Sequence, residues 1–271
     1  MNKPRPWLYW AVLSVLCLLG VSCCKQQQKD PFRYKVAIIG NPSNPDIRYD
    51  ESQMQALKNL GYNTLQLNIA WGARPADEPL NLEDILYVDG IGSREKADQR
   101  LQAIKERARI AKKWGFRTLF HFGAPRVDSL YKILTPDLID IATEKNSIQK
   151  KEIVDKYVSL LKRLKQEVPE LDDIEVYTFD QDAWVANEFG NGPTDRDIPL
   201  HERIPAFLQA LTGAWAEVSP DGMVWWEPWE ISAGQIYACI PSLPTRNFGM
   251  FLHSNIAEVQ LSRPVDVWFK N

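Results

Sequence analysis

"LKNLGYNTLQLNI" runs from Leu57 to Ile69 and "AKKWGFRTLFHFG" from Ala111 to Gly123. Both contain lysine, any residue, a large apolar residue, glycine, an aromatic, any residue, threonine and leucine in that order. Each opens as the last turn of a helix. Gly61 and Gly115 stand where the chain must turn left-handed to leave that helix, which glycine does without a Cβ penalty. The apolar run that follows has the composition of a strand. One helix–strand joint used twice means repeated βα units, and repeated βα units mean a parallel sheet.

Working outward from these joints, six strands are predicted: Lys35–Gly40, Thr64–Ile69, Thr118–Gly123, Ile174–Asp180, Met223–Glu227 and Phe248–Ser254. Helical periodicity fills the intervals. Met54, Leu57 and Leu60 line the first helix. Ala97, Leu101, Ile104, Ala108, Ala111 and Trp114 line the second, with Ser93 as its N-cap. Ile153, Val154, Tyr157, Val158, Leu161 and Leu164 line the third, and a fourth spans Ala206–Val218. No Gly-rich phosphate loop follows a strand, which argues against a nucleotide-binding doubly wound sheet. The expected fold class is α/β, a (β/α)8 TIM barrel, with about six of its eight units present. Ser262-Arg263-Pro264 opens a further helix that reaches Asn271. Either strands go unmarked or the chain is a piece of a longer protein, and we expect the piece.

The 271 residues are 45% hydrophobic, enough for one large core, and carry a net charge of −3, which argues against a general nucleic-acid binder. The basic run Arg94 to Arg117 lies on a helical pattern and is expected to be a solvated face. Lys3 and Arg5 precede an apolar run from Trp7 to Gly20, too short to span a bilayer and suited to a signal peptide. Gly20 and Ser22 lead into Cys23, which resembles the lipobox of bacterial lipoproteins. The expected organisation is residues 1–22 as signal peptide, 23–33 as tether and 34–271 as the barrel domain. Cys23 would carry the lipid, with Cys24 as the alternative modified residue and ordinary secretion as the alternative to lipidation. The protein would then be exported and held on the periplasmic or surface side of a bacterial outer membrane. No cysteine spacing suits zinc, and no metal or cofactor is expected. We expect a monomer.

The strands share a parity. Gln66 and Asn68 alternate with Leu65 and Leu67, and His121 with Phe120 and Phe122. Val176, Thr178 and Asp180 alternate with Tyr177 and Phe179, and Glu227 shares a face with Trp225 and Met223. If the polar set faces the barrel interior, Asn68, His121, Asp180, Glu227 and His253 converge on one mouth at the C-terminal strand ends, where this fold places its sites. Each alone could be a satisfied core polar group; five at corresponding positions point to a functional mouth. Neighbouring strand ends bring carboxylates within about 5–10 Å, the range in which a pair cleaves a glycosidic bond. Trp225 and Trp229, in "GMVWWEPWEIS" from Gly222, supply an apolar wall that raises an acid's pKa and flat rings that stack on sugars. Trp226 is expected under a helix, and Glu230 could instead cap the next helix.

On these residues the chain resembles the TIM-barrel glycoside hydrolases, in particular bacterial lipoproteins that degrade polysaccharides. Asn187-Glu188 is similar to the Asn-Glu acid/base pair such enzymes carry after strand four. Asp180-Gln181-Asp182 is loosely similar to the acidic pair of hexosaminidases. The resemblance implies paired-carboxylate hydrolysis of a glycosidic bond in a poly- or oligosaccharide, with Glu227, Asp180 and Glu188 as candidate catalytic groups. Asn68, Trp71, His121, Asp182, Trp225, Trp229, Glu230, His253 and Asn255 are the candidate substrate contacts. A metal-dependent barrel hydrolase would want a His-x-His on the first strand, which is absent, and a serine hydrolase would want a G-x-S-x-G elbow, which is also absent. The rivals are a lipid-anchored sugar-binding protein without catalysis and an inactive fragment of a hydrolase.

Overall fold

The computed structural model describes residues 32–40, 47–69, 77–126, 146–177, 198–228 and 231–252. The chain divides into two compact units, Met1–Lys35 and Val36–Asn271. Residues 32–35 are the described part of the first, where the Arg33 guanidinium lies 5.4 Å from the centroid of the Tyr34 ring. The second unit carries the fold.

Six strands, β1 (Val36–Ile38), β2 (Thr64–Gln66), β3 (Arg117–Gly123), β4 (Asp173–Tyr177), β5 (Val224–Glu227) and β6 (Phe248–Met250), pair in parallel in the order of the chain. Between them lie α1 (Glu51–Asn59), α2 (Arg94–Lys113), α3 (Lys151–Glu167), α4 (Leu200–Val218) and α5 (Ala233–Cys239). A doubly wound sheet reverses its strand order at a switch point. Among the described strands the order never reverses, so each crossover winds the same way, which is the winding of a (β/α) barrel. Six of its strands are described; β1, β2, β5 and β6 lie within their expected segments, and β3 and β4 each begin one residue earlier, at Arg117 and Asp173.

The repeated joint explains the repeat. At the end of α1, Tyr62 N donates to Leu57 O (3.1 Å) and Gly61 N to Lys58 O (2.9 Å). At the end of α2, Phe116 N donates to Ala111 O (3.0 Å) and Gly115 N to Lys112 O (2.9 Å). Both are Schellman closures, and Gly61 and Gly115 take φ of 82° and 69°. Asp50 and Ser93 cap the opposite ends by accepting from Gln53 N and Lys96 N. α4 starts at Leu200, six residues before the expected Ala206, because Pro205 sits inside it rather than opening it. In this second turn the proline leaves the His201 carbonyl without its helical donor, a cost offset by the burial of Pro205 and its neighbours.

The face of the sheet under the helices is apolar. Leu65, Leu67, Phe120, Phe122, Ile174, Val176, Val224 and Trp226 pack there with Leu57, Ile104, Ala108, Leu161, Leu164, Leu208 and Leu211. Trp226 is fully buried, as expected. The basic face of α2 is exposed at Arg94, Lys96, Arg109, Lys112 and Lys113, as expected of a solvated face, and several of its cations are also paired. Arg107 forks onto Glu78 (2.6 and 3.0 Å) and also donates to Leu67 O, Lys105 reaches Glu167 at 2.7 Å, and Lys112 reaches Asp172 at 2.9 Å. The helix therefore ties the loop after β2 and the residues around β4 to itself through paired charges.

The N-terminal ends of the central strands form a second polar knot. Arg117 forks onto the fully buried Asp173 at 2.6 and 3.0 Å, and the Asp173 carboxylate also accepts from Met223 N. Thr118 N donates to Asp172 Oδ2, and its hydroxyl to Glu170 O. In this fold that end serves stability.

Candidate functional site

Register fixes which side chains share the inner face. Gln66 pairs with Leu119, His121 with Glu175, Glu175 with Trp225, and Tyr177 with Glu227. Paired residues of a parallel sheet point the same way, and side chains alternate along each strand. The inner face of β3, β4 and β5 therefore presents His121, Glu175, Tyr177, Trp225 and Glu227. The expectation for β4 was wrong by one residue. Val176 lies in the helix-facing core, and Glu175 and Tyr177 face inward.

His121 is the hub. Its Nε2 stands 2.8 Å from Glu227 Oε2, and both side chains are almost fully buried. Glu175 lies beside them, so that one donor atom of each of the three residues falls within 4.8 Å of the others. The Tyr177 ring meets the imidazole edge-on at 5.0 Å. On the other side Gln66 Nε2 lies 3.4 Å from His121 Nδ1 while donating to Asn68 O at 2.8 Å. Burial alone would lower the His121 pKa. The charge of Glu175 and the hydrogen bond and charge of Glu227 outweigh it, and the ring titrates above the ordinary histidine value. Two buried carboxylates in one small space thus favour the charged form of the imidazole between them.

Asn68, expected as a substrate contact, holds backbone on both sides of it. Its amide nitrogen donates to Pro79 O (3.0 Å) and to His121 O (2.8 Å), and its oxygen accepts from His121 N at 3.0 Å. Both amide hydrogens are spent on backbone. The side chain continues the β2–β3 ladder after β2 has ended at Gln66, and fixes the backbone of His121. Trp225 is half-buried, with its ring lying across Gly249 and edge-on to Phe251 at 5.0 Å. It packs along the inner face toward β6. The helix after β5 is capped by Ser232, whose hydroxyl accepts from Gln235 N.

The structure thus brings Glu227, His121, Asn68 and Trp225 to one region, and adds Glu175, Gln66 and Tyr177. Glu175 was legible in principle. Ile174 and Val176 are the β-branched pair that suits the helix side, which leaves Asp173, Glu175 and Tyr177 for the other. Asp180, Asp182, Glu188, Trp71, Trp229, Glu230, His253, Asn255 and Cys23 lie outside the described residues.

Comparison with known proteins places the chain path in context. No protein-family model and no curated protein matches the sequence. Among solved structures it is similar to a mutant O-GlcNAc hydrolase of Thermobaculum terrenum, at 16% identity and a TM-score of 0.49 over 85% of this chain and 46% of that one. It is similar to endo-glycoceramidase II of Rhodococcus sp., at 12% identity and 0.48 over 84% and 59%. It is also similar to a GH5_18 of Bifidobacterium longum subsp. infantis, at 13% and 0.41 over 72% and 43%. The chain therefore spans about half the length of these structures.

Proposed function

We propose that the protein is a glycoside hydrolase-like enzyme acting on a polysaccharide or oligosaccharide. The observation that carries this reading is the convergence of the Glu175 and Glu227 carboxylates on His121 on the inner face of β3–β5, with Glu227 at the C-terminal end of its strand. Glycosidic hydrolysis needs one carboxyl group to protonate the leaving oxygen and a second to attack or to activate water. Glu227 ends β5 and is the carboxylate nearest the strand ends. We assign it the acid–base role. His121 is a positioning residue that fixes one Glu227 oxygen, and Asn68 in turn fixes the His121 backbone. Glu175 is the second carboxylate that the geometry offers; Asp180 and Glu188 are the candidates that the sequence offers. In the same reading the chain is exported and lipid-anchored through Cys23.

The test uses one panel of oligosaccharides and aryl glycosides for two measurements on the full chain, hydrolysis by product release and binding by calorimetry. Turnover of any member supports the enzyme. Binding without turnover would show the anchored sugar-binding protein instead. Neither binding nor turnover across the panel would count against both.

A further inference from the structure

We propose that His121, Glu175 and Glu227 form a binding site for a first-row divalent metal ion, with zinc as the working probe. The three residues come from three adjacent strands, one each from β3, β4 and β5. They are 1%, 4% and 4% exposed, so none is a surface carboxylate among solvent. Their donor atoms lie within 4.8 Å of one another.

The spacing suits a shared ion. Zinc binds imidazole nitrogen and carboxylate oxygen at about 2.0–2.2 Å in a tetrahedral set, so its ligands stand about 3.4 Å apart. The 2.8 Å between His121 Nε2 and Glu227 Oε2 is a hydrogen bond in the metal-free site, and an ion entering there would displace its proton and part the two atoms slightly. Closing a separation of up to 4.8 Å to that spacing needs about 1.4 Å at most, which rotation of the carboxylate side chains supplies. One imidazole with two carboxylates is a borderline-hard set that favours zinc, manganese or cobalt over calcium, which prefers six to eight oxygens. Charge favours occupancy. Two desolvated carboxylates this close repel each other, and a divalent ion answers both at once. The surroundings hold the ligands in place, since Asn68 fixes the His121 backbone at both N–H and C=O, and Tyr177 borders the ring.

The inference does not rest on the hydrolase reading: zinc bound to a protein with no glycosidase activity would leave it standing. If both hold, an ion on Glu227 ties up the carboxylate that moves the proton, and zinc is an inhibitor.

The experiment strips the full chain with a chelator, dialyses it against zinc and counts bound metal. One ion per chain is expected, with affinity falling by at least about 100-fold in Glu175→Gln and in His121→Asn. Less than about a tenth of an ion per wild-type chain, or unchanged affinity in both variants, would overturn the site. Should either variant lose its helical circular dichroism, the wild type decides alone. One equivalent of Cu²⁺ should show electron-paramagnetic splitting from a single nitrogen, and a spectrum with none or with several would overturn the proposal.

Discussion

His121 Nε2 and Glu227 Oε2 meet at 2.8 Å although β4 lies between the strands that carry them. The two side chains reach toward each other over Glu175, which pairs in register with His121. A buried imidazole is thereby placed among two carboxylates, and its protonation becomes a property of the fold.

That placement predicts how stability varies with pH in protein free of divalent ions. The folded pKa of His121 is raised above its ordinary 6.5. Between the unfolded and the folded pKa the folded chain therefore binds more protons than the unfolded one, and the contribution of the charged ring is full below the unfolded pKa and lost as pH rises through the folded one. The stability difference between wild type and His121→Asn should be largest below about pH 6.5 and should shrink above it. Urea unfolding across that range measures it. A difference that grows with rising pH would mean the ring is neutral in the fold.

Asn68 is argued to be a backbone clamp. Asn68→Ala leaves Pro79 O, His121 O and His121 N without their partner, and each buried group so stranded costs about 1–3 kcal/mol, giving an expected loss of about 3 kcal/mol after relaxation. Chemical denaturation reads this directly. A variant of unchanged stability that has lost sugar affinity would restore the substrate contact expected from sequence.

Gly249 lies beneath the Trp225 ring, and a Cβ added there would collide with the six-membered part of the indole. Gly249→Ala should cost about 1–3 kcal/mol, because a ring that also packs on Phe251 has little room to retreat. Double substitution with Trp225→Ala should recover part of the loss. Additive losses would show that the two positions do not touch.

Asp173 at the opposite end of the sheet is fully buried and holds Arg117 and the Met223 amide. Removing it takes the carboxylate from a guanidinium that is 35% exposed and keeps its bond to Asp221 O, so Asp173→Ala should cost about 3 kcal/mol, the low end for breaking a buried pair. Activity per folded molecule should not change. A selective loss of activity at normal stability would contradict the division of roles between the two ends.

The fold was legible because its signals are local. A Schellman closure needs one glycine at one position, and Gly61 and Gly115 announce two of them within the motif they share. The site was legible only in part. His121 and Glu227 stand out as polar residues in apolar strands. Glu175 was missed because Thr178 and Asp180 suggested the opposite parity for β4, and a one-residue slip exchanges every inner side chain for an outer one. Nothing local told that Asn68 would spend its amide on the backbone of a residue 53 positions away. The donor triad was invisible for the same reason: its members come one per strand, and only the register brings them together.

The most direct test of the account is the turnover of Glu227→Gln against wild type on the best substrate of the panel. The exchange keeps the shape of the side chain and removes its acid–base function. Turnover should fall by about 10²–10⁴-fold, the usual size for losing a general acid or base, with the circular dichroism spectrum unchanged. Turnover within about twofold of wild type would remove Glu227 from the chemistry.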